Sequence, residues 1–175
     1  MDAIRDVDAV AAWLASAGIA PVNGIGVMGG SYGGYLALAA AAFFPDRWAA
    51  VASLYGVSDY VAQFETVPAW RRPLREVEFG SLERDRAFLA SISPANYLGD
   101  ILAPVLVIHG ANDSLVSITQ VERVVGPLRQ RGHEVTQECY PDEGHSIVHA
   151  HNVAGAVERI VGFFRSRLAG YERSS

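Results

Sequence analysis

Apolar and polar positions follow two periods along this chain, one typical of helices and one typical of strands. Near the start, apolar residues recur at helical spacing and Gly18 follows as a stop signal, which predicts an amphipathic helix. Strands are predicted over residues 25–28, 48–55, 104–110 and 133–140, and further helices over residues 35–42, 118–128 and 153–168. Because strands and helices alternate, the pattern predicts an α/β protein with about four parallel strands and flanking helices.

The segment from residue 60 to residue 95 departs from this pattern. It is rich in aromatic residues, arginine and proline, which indicates short helices and loops that cover strand ends. Substrate pockets are commonly formed in that position. No internal repeat or low-complexity linker divides the chain, so residues 1–175 are expected to form one domain.

Composition narrows the class of protein. A chain of 175 residues, 50% of them hydrophobic, is long enough to bury roughly 70% of its unfolded surface. The net charge of −5 and the dispersed arginines disfavour nucleic-acid binding. No apolar run reaches the roughly 20 residues of a membrane span, and the N-terminus lacks a signal pattern. The one cysteine, Cys139, has no partner for an internal disulfide, so a reduced, cytoplasmic compartment is expected.

The richest chemical signal is the glycine-lined turn Gly29-Gly30-Ser31-Tyr32-Gly33-Gly34 between the first predicted strand and a small-residue helix. Its G-x-S-x-G spacing is that of a nucleophile elbow, in which a serine stands clear of the sheet on a strained turn. Side chains at Gly29 and Gly33 are expected to clash with the crossing strand and helix. The backbone N–H of Tyr32 is expected to point at a developing oxyanion. Alone, the pattern is equally compatible with a turn that carries an idle serine.

Two further motifs favour chemistry at this turn. Asp113 follows the strand 104–110, and His145 follows the strand 133–140 within Pro141-Asp142-Glu143-Gly144-His145. Reactive groups of open α/β sheets collect at the carboxyl ends of parallel strands, which is where Ser31, Asp113 and His145 are all predicted to lie. The order Ser, Asp, His along the chain is also that of α/β-hydrolases.

At these motifs the chain resembles the prolyl oligopeptidase family of serine peptidases, whose catalytic domain carries G-G-S-Y-G-G, H-G-x-x-D and E-G-H blocks. The resemblance implies an α/β-hydrolase fold, here partial, with residues 1–175 as the C-terminal portion of the catalytic domain. It implies Ser31 as nucleophile, Asp113 as the carboxylate that orients the imidazole, and His145 as general base and then general acid. The implied substrate is a short peptide or acyl-peptide.

The resemblance also suggests a substrate pocket. Aligned on the dipeptidyl peptidase branch, Tyr32, Val57, Tyr60 and Val116 fall where the apolar pocket for the residue before the scissile bond is built. Ordinary core packing explains each of these residues about equally well. Leu115 stands where that branch has an asparagine that helps to hold the substrate carbonyl. This difference favours acylaminoacyl-peptidase-like or oligopeptidase activity over strict dipeptidyl peptidase activity.

The family's catalytic domain has more strands before the elbow than this chain. The segment that would supply a second oxyanion donor has no candidate here, and losing one such donor typically costs about 10²–10³ in kcat. The elbow strand, residues 22–28, is then expected to be an apolar sheet edge with no charge or proline. We expect a second copy of the chain, or an N-terminal fragment of a longer precursor, to cover it.

Two alternatives to a peptidase remain open: a carboxylesterase that uses the same triad, and a non-catalytic half-domain. No cofactor is expected. Metal binding is disfavoured because His145, His149 and His151 lack metal-ligand spacing. His109, on the strand before Asp113, is interpreted as a structural residue with satisfied hydrogen bonds.

Overall fold

The computed structural model describes residues 1–168, so the end of the predicted domain, residues 169–175, lies outside the described residues. The described strands are β1 (Ile25–Gly30), β2 (Trp48–Leu54), β3 (Val105–Gly110) and β4 (Val135–Tyr140). They form one parallel sheet in the order β1-β2-β3-β4. The helices are α1 (Asp2–Ser16), α2 (Tyr32–Phe43), α3 (Tyr60–Thr66), α4 (Arg72–Phe79), α5 (Arg86–Ser91), α6 (Thr119–Gln130) and α7 (Ala150–Leu168). The prediction of an α/β fold with four parallel strands and flanking helices is confirmed.

Helices cover both faces of the sheet. A larger apolar core joins α1, α2 and α6 to one face, and a smaller one joins α7 to the other. All six residues of β3 are buried, which is why this strand appears in the sequence as an apolar run broken only by His109.

Helix α2 packs closely against the sheet because its side chains are small. Ala39 and Ala40 have no exposed surface, and the Trp48 indole N–H donates to the Ala40 carbonyl at 3.0 Å. This packing holds the second half of α2 against the sheet.

The segment between β2 and β3 folds into α3, α4 and α5. The start of α3 is held by side-chain hydrogen bonds, since Asp59 accepts from the Ala62 N–H at 3.0 Å and the buried Ser58 hydroxyl donates to the Gln120 carbonyl at 2.8 Å. The bond to Gln120 ties the start of α3 to α6 and holds α3 over the carboxyl ends of the strands.

Strand β1 is an edge of the sheet. Within the described residues it pairs with β2 alone, as expected from the sequence. None of the helices among residues 1–168 has the length and apolarity to cross a membrane.

Candidate active site

Three side chains meet at the carboxyl ends of the strands. Ser31 follows β1, Asp113 follows β3 and His145 follows β4. Ser31 Oγ lies 2.8 Å from His145 Nε2, and His145 Nδ1 lies 2.9 Å from Asp113 Oδ2. An ionised carboxylate only accepts hydrogen bonds, so Nδ1 carries the imidazole proton and Nε2 accepts from the Ser31 hydroxyl. The structure therefore brings together the three residues that the sequence singled out.

The turn at Ser31 is strained, and Gly29 and Gly33 on either side of it differ in how much space they have. Ser31 has φ 56° and ψ −119°, a region that non-glycine residues rarely adopt. A Cβ at Gly29 would lie 2.4 Å from the Gly33 carbonyl carbon and oxygen. A Cβ at Gly33 would meet nothing within 4 Å. The expectation of a clash at Gly33 is therefore wrong, because Gly33 contributes its backbone to the close approach while its own Cα faces open space.

Asp113 is held as an ionised carboxylate by four N–H groups. Its Oδ1 accepts from the backbone N–H groups of Leu115 at 2.8 Å and Val116 at 2.9 Å, while Oδ2 faces His145 and, at 3.4 Å, His109 Nε2. Burial alone would raise the pKa of Asp113, but the hydrogen bonds from His109, Val116, His145 and Leu115 outweigh it and lower the pKa to about 2. Asp113 is therefore negatively charged throughout the neutral range.

The loop that carries His145 is fastened by the buried side chain of Glu143. This carboxylate accepts from the backbone N–H groups of Val148 at 3.0 Å and His149 at 2.9 Å, and from the Asn152 amide at 2.9 Å. Burial would raise the pKa of Glu143, but the hydrogen bond from Asn152 and the two backbone N–H groups lower it to about 2. The loop is thus closed on α7 by an ionised group.

An apolar pocket of about 70 Å³ opens beside Ser31 and His145. The residues that the resemblance assigned to a pocket all line it: Tyr32, Val57, Tyr60 and Val116. Leu115, which the resemblance places at the substrate carbonyl, lines it too. Sequence reasoning missed five further lining residues: Gln63, Phe64, Val67, Arg75 and Phe79. These five belong to α3, α4 or the turn between them, the part of the chain without clear periodicity. The sequence signal for this part of the pocket is that the segment is rich in aromatic residues and arginine.

Aromatic rings build one wall of this pocket. Tyr60 lies 4.8 Å from Tyr35 and 4.9 Å from Phe79 between ring centroids, and Tyr32 lies 6.0 Å from Phe79. Burial raises the pKa of Tyr35 and of Tyr60 far above the ordinary value, so both phenols remain neutral. The wall is therefore uncharged except for the Arg75 guanidinium.

The backbone N–H of Tyr32 lies at the start of α2. The first hydrogen bond of that helix runs from the Tyr35 N–H to the Ser31 carbonyl at 3.1 Å, so the Tyr32 N–H precedes the hydrogen-bonded part of the helix. Such a group is free to donate to an anion beside Ser31. Among residues 1–168, no three His, Cys, Asp or Glu side chains are arranged to hold a metal ion.

Comparison with known proteins agrees with this geometry. Residues 2–170 match the model of the prolyl oligopeptidase family. The chain is 32% identical over 161 residues to dipeptidyl peptidase family member 6 of Caenorhabditis elegans, covering 89% of the chain and 22% of that relative. It is 30% identical over 169 residues to dipeptidyl aminopeptidase BIII of Pseudoxanthomonas mexicana, covering 94% of the chain and 24% of that relative.

A solved structure shares the fold. The puromycin-hydrolyzing peptidase of Mycobacterium tuberculosis superposes with a TM-score of 0.89 at 26% identity, over 99% of this chain and 26% of that one. The chain therefore spans about a quarter of the length of these relatives.

Proposed function

Because this chain belongs to the prolyl oligopeptidase family, we propose that it carries the reactive centre of a serine peptidase that cleaves short peptides through an acyl-enzyme. The observation that supports this proposal best is the continuous hydrogen-bonded path from Ser31 Oγ through His145 to Asp113 at the mouth of an apolar pocket. A serine idle in a turn has no need of a base at 2.8 Å that is itself oriented by a buried carboxylate.

In the first half of the reaction, Ser31 Oγ attacks the scissile carbonyl carbon while its proton passes to His145 Nε2. Asp113 stabilises the imidazolium that forms and keeps its own negative charge, in agreement with its low pKa. The N–H of Tyr32 donates to the oxyanion of the tetrahedral intermediate. His145 then gives the proton to the leaving amine, the C–N bond breaks and the acyl group stays on Ser31.

In the second half, water takes the place of the amine. His145 Nε2 accepts a proton from the water as its oxygen attacks the acyl carbon, and returns the proton to Ser31 Oγ as the ester bond breaks. We assign one oxyanion donor among the described residues.

The pocket indicates which substrates fit. Its walls are mainly aliphatic and aromatic, with Gln63 and Arg75 as polar exceptions, and its volume is about 70 Å³, so it suits a small apolar side chain before the scissile bond. Leu115 lines it where the dipeptidyl peptidase branch of the family has an asparagine. We therefore favour acyl-peptides and short oligopeptides over strict removal of dipeptides.

A fluorophosphonate probe tests this proposal, because only an activated hydroxyl attacks the probe at an appreciable rate. We expect label on Ser31 in the full chain, none in the Ser31→Ala variant, and none on the exposed Ser146, which lies next to His145 in sequence. Absence of label in folded protein would contradict the proposal and favour the non-catalytic alternative. Comparing hydrolysis of acyl-peptide anilides with that of p-nitrophenyl esters then separates a peptidase from an esterase.

A further inference from the structure

Tyr55 has a backbone conformation that bulky residues rarely adopt. Its φ is 42°, and the other non-glycine residues with positive φ in the described chain are Asn23 and Ser31. Asparagine tolerates this region, and Ser31 is the strained residue of the elbow. A tyrosine gains nothing locally from positive φ, and strain of this kind persists mainly where function needs it.

The strain puts the Tyr55 side chain between the elbow and the imidazole. Tyr55 directly follows β2, and its N–H donates to the Ile108 carbonyl at 2.7 Å, while the preceding Leu54 carbonyl accepts from the Ser31 N–H at 2.9 Å. The phenol ring lies over Gly30, where a Cβ would come within 2.7 Å of the Tyr55 Oη. Hydrogen bonds to β3 and to the residue after β1 thus fix the backbone that orients this ring.

The same ring contacts His145. The two ring centroids are 5.3 Å apart and the planes are inclined by 63°. Tyr55 does not line the apolar pocket. It therefore touches the imidazole without contacting the site proposed for the substrate side chain.

We propose that Tyr55 is a positioning residue, which holds the His145 ring in line between Ser31 and Asp113. This inference rests on the proposed function of the three residues. Once Ser31 Oγ has bonded to the carbonyl carbon, the His145 side chain keeps only its hydrogen bond to Asp113. The packed Tyr55 ring then limits how far the imidazole can rotate.

Other charged groups also lie near His145. Asp113 is the carboxylate in contact with it, and it is present in every variant proposed below. The Glu143 carboxylate, on the same loop, is directed at Val148, His149 and Asn152. Arg75 lines the apolar pocket with His145 and pairs with Glu78 at 3.6 Å. None of these groups changes when Tyr55 is replaced.

Two substitutions separate the ring from the backbone. Tyr55→Phe keeps the ring and the strain, and Tyr55→Asn removes the ring but suits positive φ. We expect Tyr55→Phe to react with the fluorophosphonate at the wild-type rate. We expect Tyr55→Asn to react about two- to fivefold more slowly because the ring contact with His145 is lost. Its melting temperature should be no lower than that of Tyr55→Phe.

Equal labelling rates in the two variants would overturn the proposal. So would an unfolded Tyr55→Asn chain, since Tyr55 would then be needed for folding and not for positioning. NMR relaxation of the His145 ring, which should show greater ring mobility in Tyr55→Asn than in Tyr55→Phe, needs no turnover. A wild-type chain that takes no label but shows this difference would count against the peptidase proposal alone.

Discussion

Behind the Asp113 carboxylate stands a second histidine with almost no exposed surface. His109 Nε2 lies 2.9 Å from the Val116 carbonyl and 3.4 Å from Asp113 Oδ2. Because both oxygens only accept, Nε2 carries the proton, and one N–H is shared between the loop backbone and the carboxylate. His109 Nδ1 is buried with no hydrogen-bond partner, so only one of its two nitrogens is satisfied. His109 thus fixes the carboxylate oxygen that faces His145.

Replacing His109 tests this role. His109→Leu leaves the Val116 carbonyl and Asp113 Oδ2 without this donor, which should lower the free energy of unfolding by about 1–3 kcal/mol and slow labelling of Ser31. His109→Gln retains an N–H donor and should recover most of both losses. Urea unfolding and labelling rates measure the two effects. Equal losses in the two variants would show that shape alone matters at this position.

The same contact predicts a pH effect with a definite sign. The folded pKa of Asp113 is depressed from 3.8 to about 2, so its ionisation contributes stability above pH 3.8 that is lost as the pH falls toward 2. Without the His109 donor the depression is smaller. The stability curve of His109→Leu should therefore lie below that of the wild type at neutral pH and approach it in acid.

The residues of the triad were predictable, whereas their supports were not. Ser31, Asp113 and His145 stand in motifs whose order along the chain is informative. His109 shows in the sequence only as a polar residue in an apolar strand, and Tyr55 only as one aromatic residue after another strand. Their roles depend on loops that the fold brings to them, so no local pattern reveals them.

At the scale of the element, the strand-turn-helix unit from β1 to α2 depends on one glycine more than on its partner. Gly29 meets the backbone of Gly33, and this contact is possible only without a Cβ at Gly29. Gly33 itself has room for a side chain. The G-x-S-x-G spacing makes both glycines look equivalent, because the spacing alone does not show where a side chain at each position would point.

Substituting each glycine by alanine tests this asymmetry. Gly29→Ala forces the strand and the helix apart, which should lower the free energy of unfolding by about 1–3 kcal/mol and abolish labelling of Ser31. Gly33→Ala meets no atom and replaces a poor helix former in the first turn of α2. It should be neutral or stabilising by up to about 1 kcal/mol. Denaturant unfolding of both variants measures the difference, and similar losses in the two would contradict the argument.

Elements with a strong period were predicted well. Strand β3 is buried throughout and α6 has a clear apolar face, so both were predicted to within two residues at either end. Helices α3 to α5 are short, and their positions depend on contacts such as Ser58 with Gln120. Periodicity over six to eight residues is too weak to define them. The pocket lining they provide was therefore the least predictable part of the site.

At the scale of the molecule, the open edge of β1 stands out. The strand carries no charged side chain, and Met28 is 51% exposed. A groove of about 380 Å³ lies between α1 and β1, lined by apolar side chains that include Val10, Leu14 and Met28. Unpaired edges of this kind readily accept a strand from another chain. We propose that a second copy or an N-terminal fragment of a longer precursor covers this edge.

In isolation the chain has only its own copies to pair with, so we expect it to form dimers or larger species in size-exclusion chromatography with light scattering. Met28→Lys puts a charge on the edge, which opposes strand pairing, and should shift the distribution toward monomer. Leu102→Lys is the matched control, because Leu102 is 63% exposed but precedes β3 and does not line the groove. A wild-type chain that stays a soluble monomer at high concentration would refute the edge argument. Association that both lysine variants weaken equally would place the contact elsewhere on the surface.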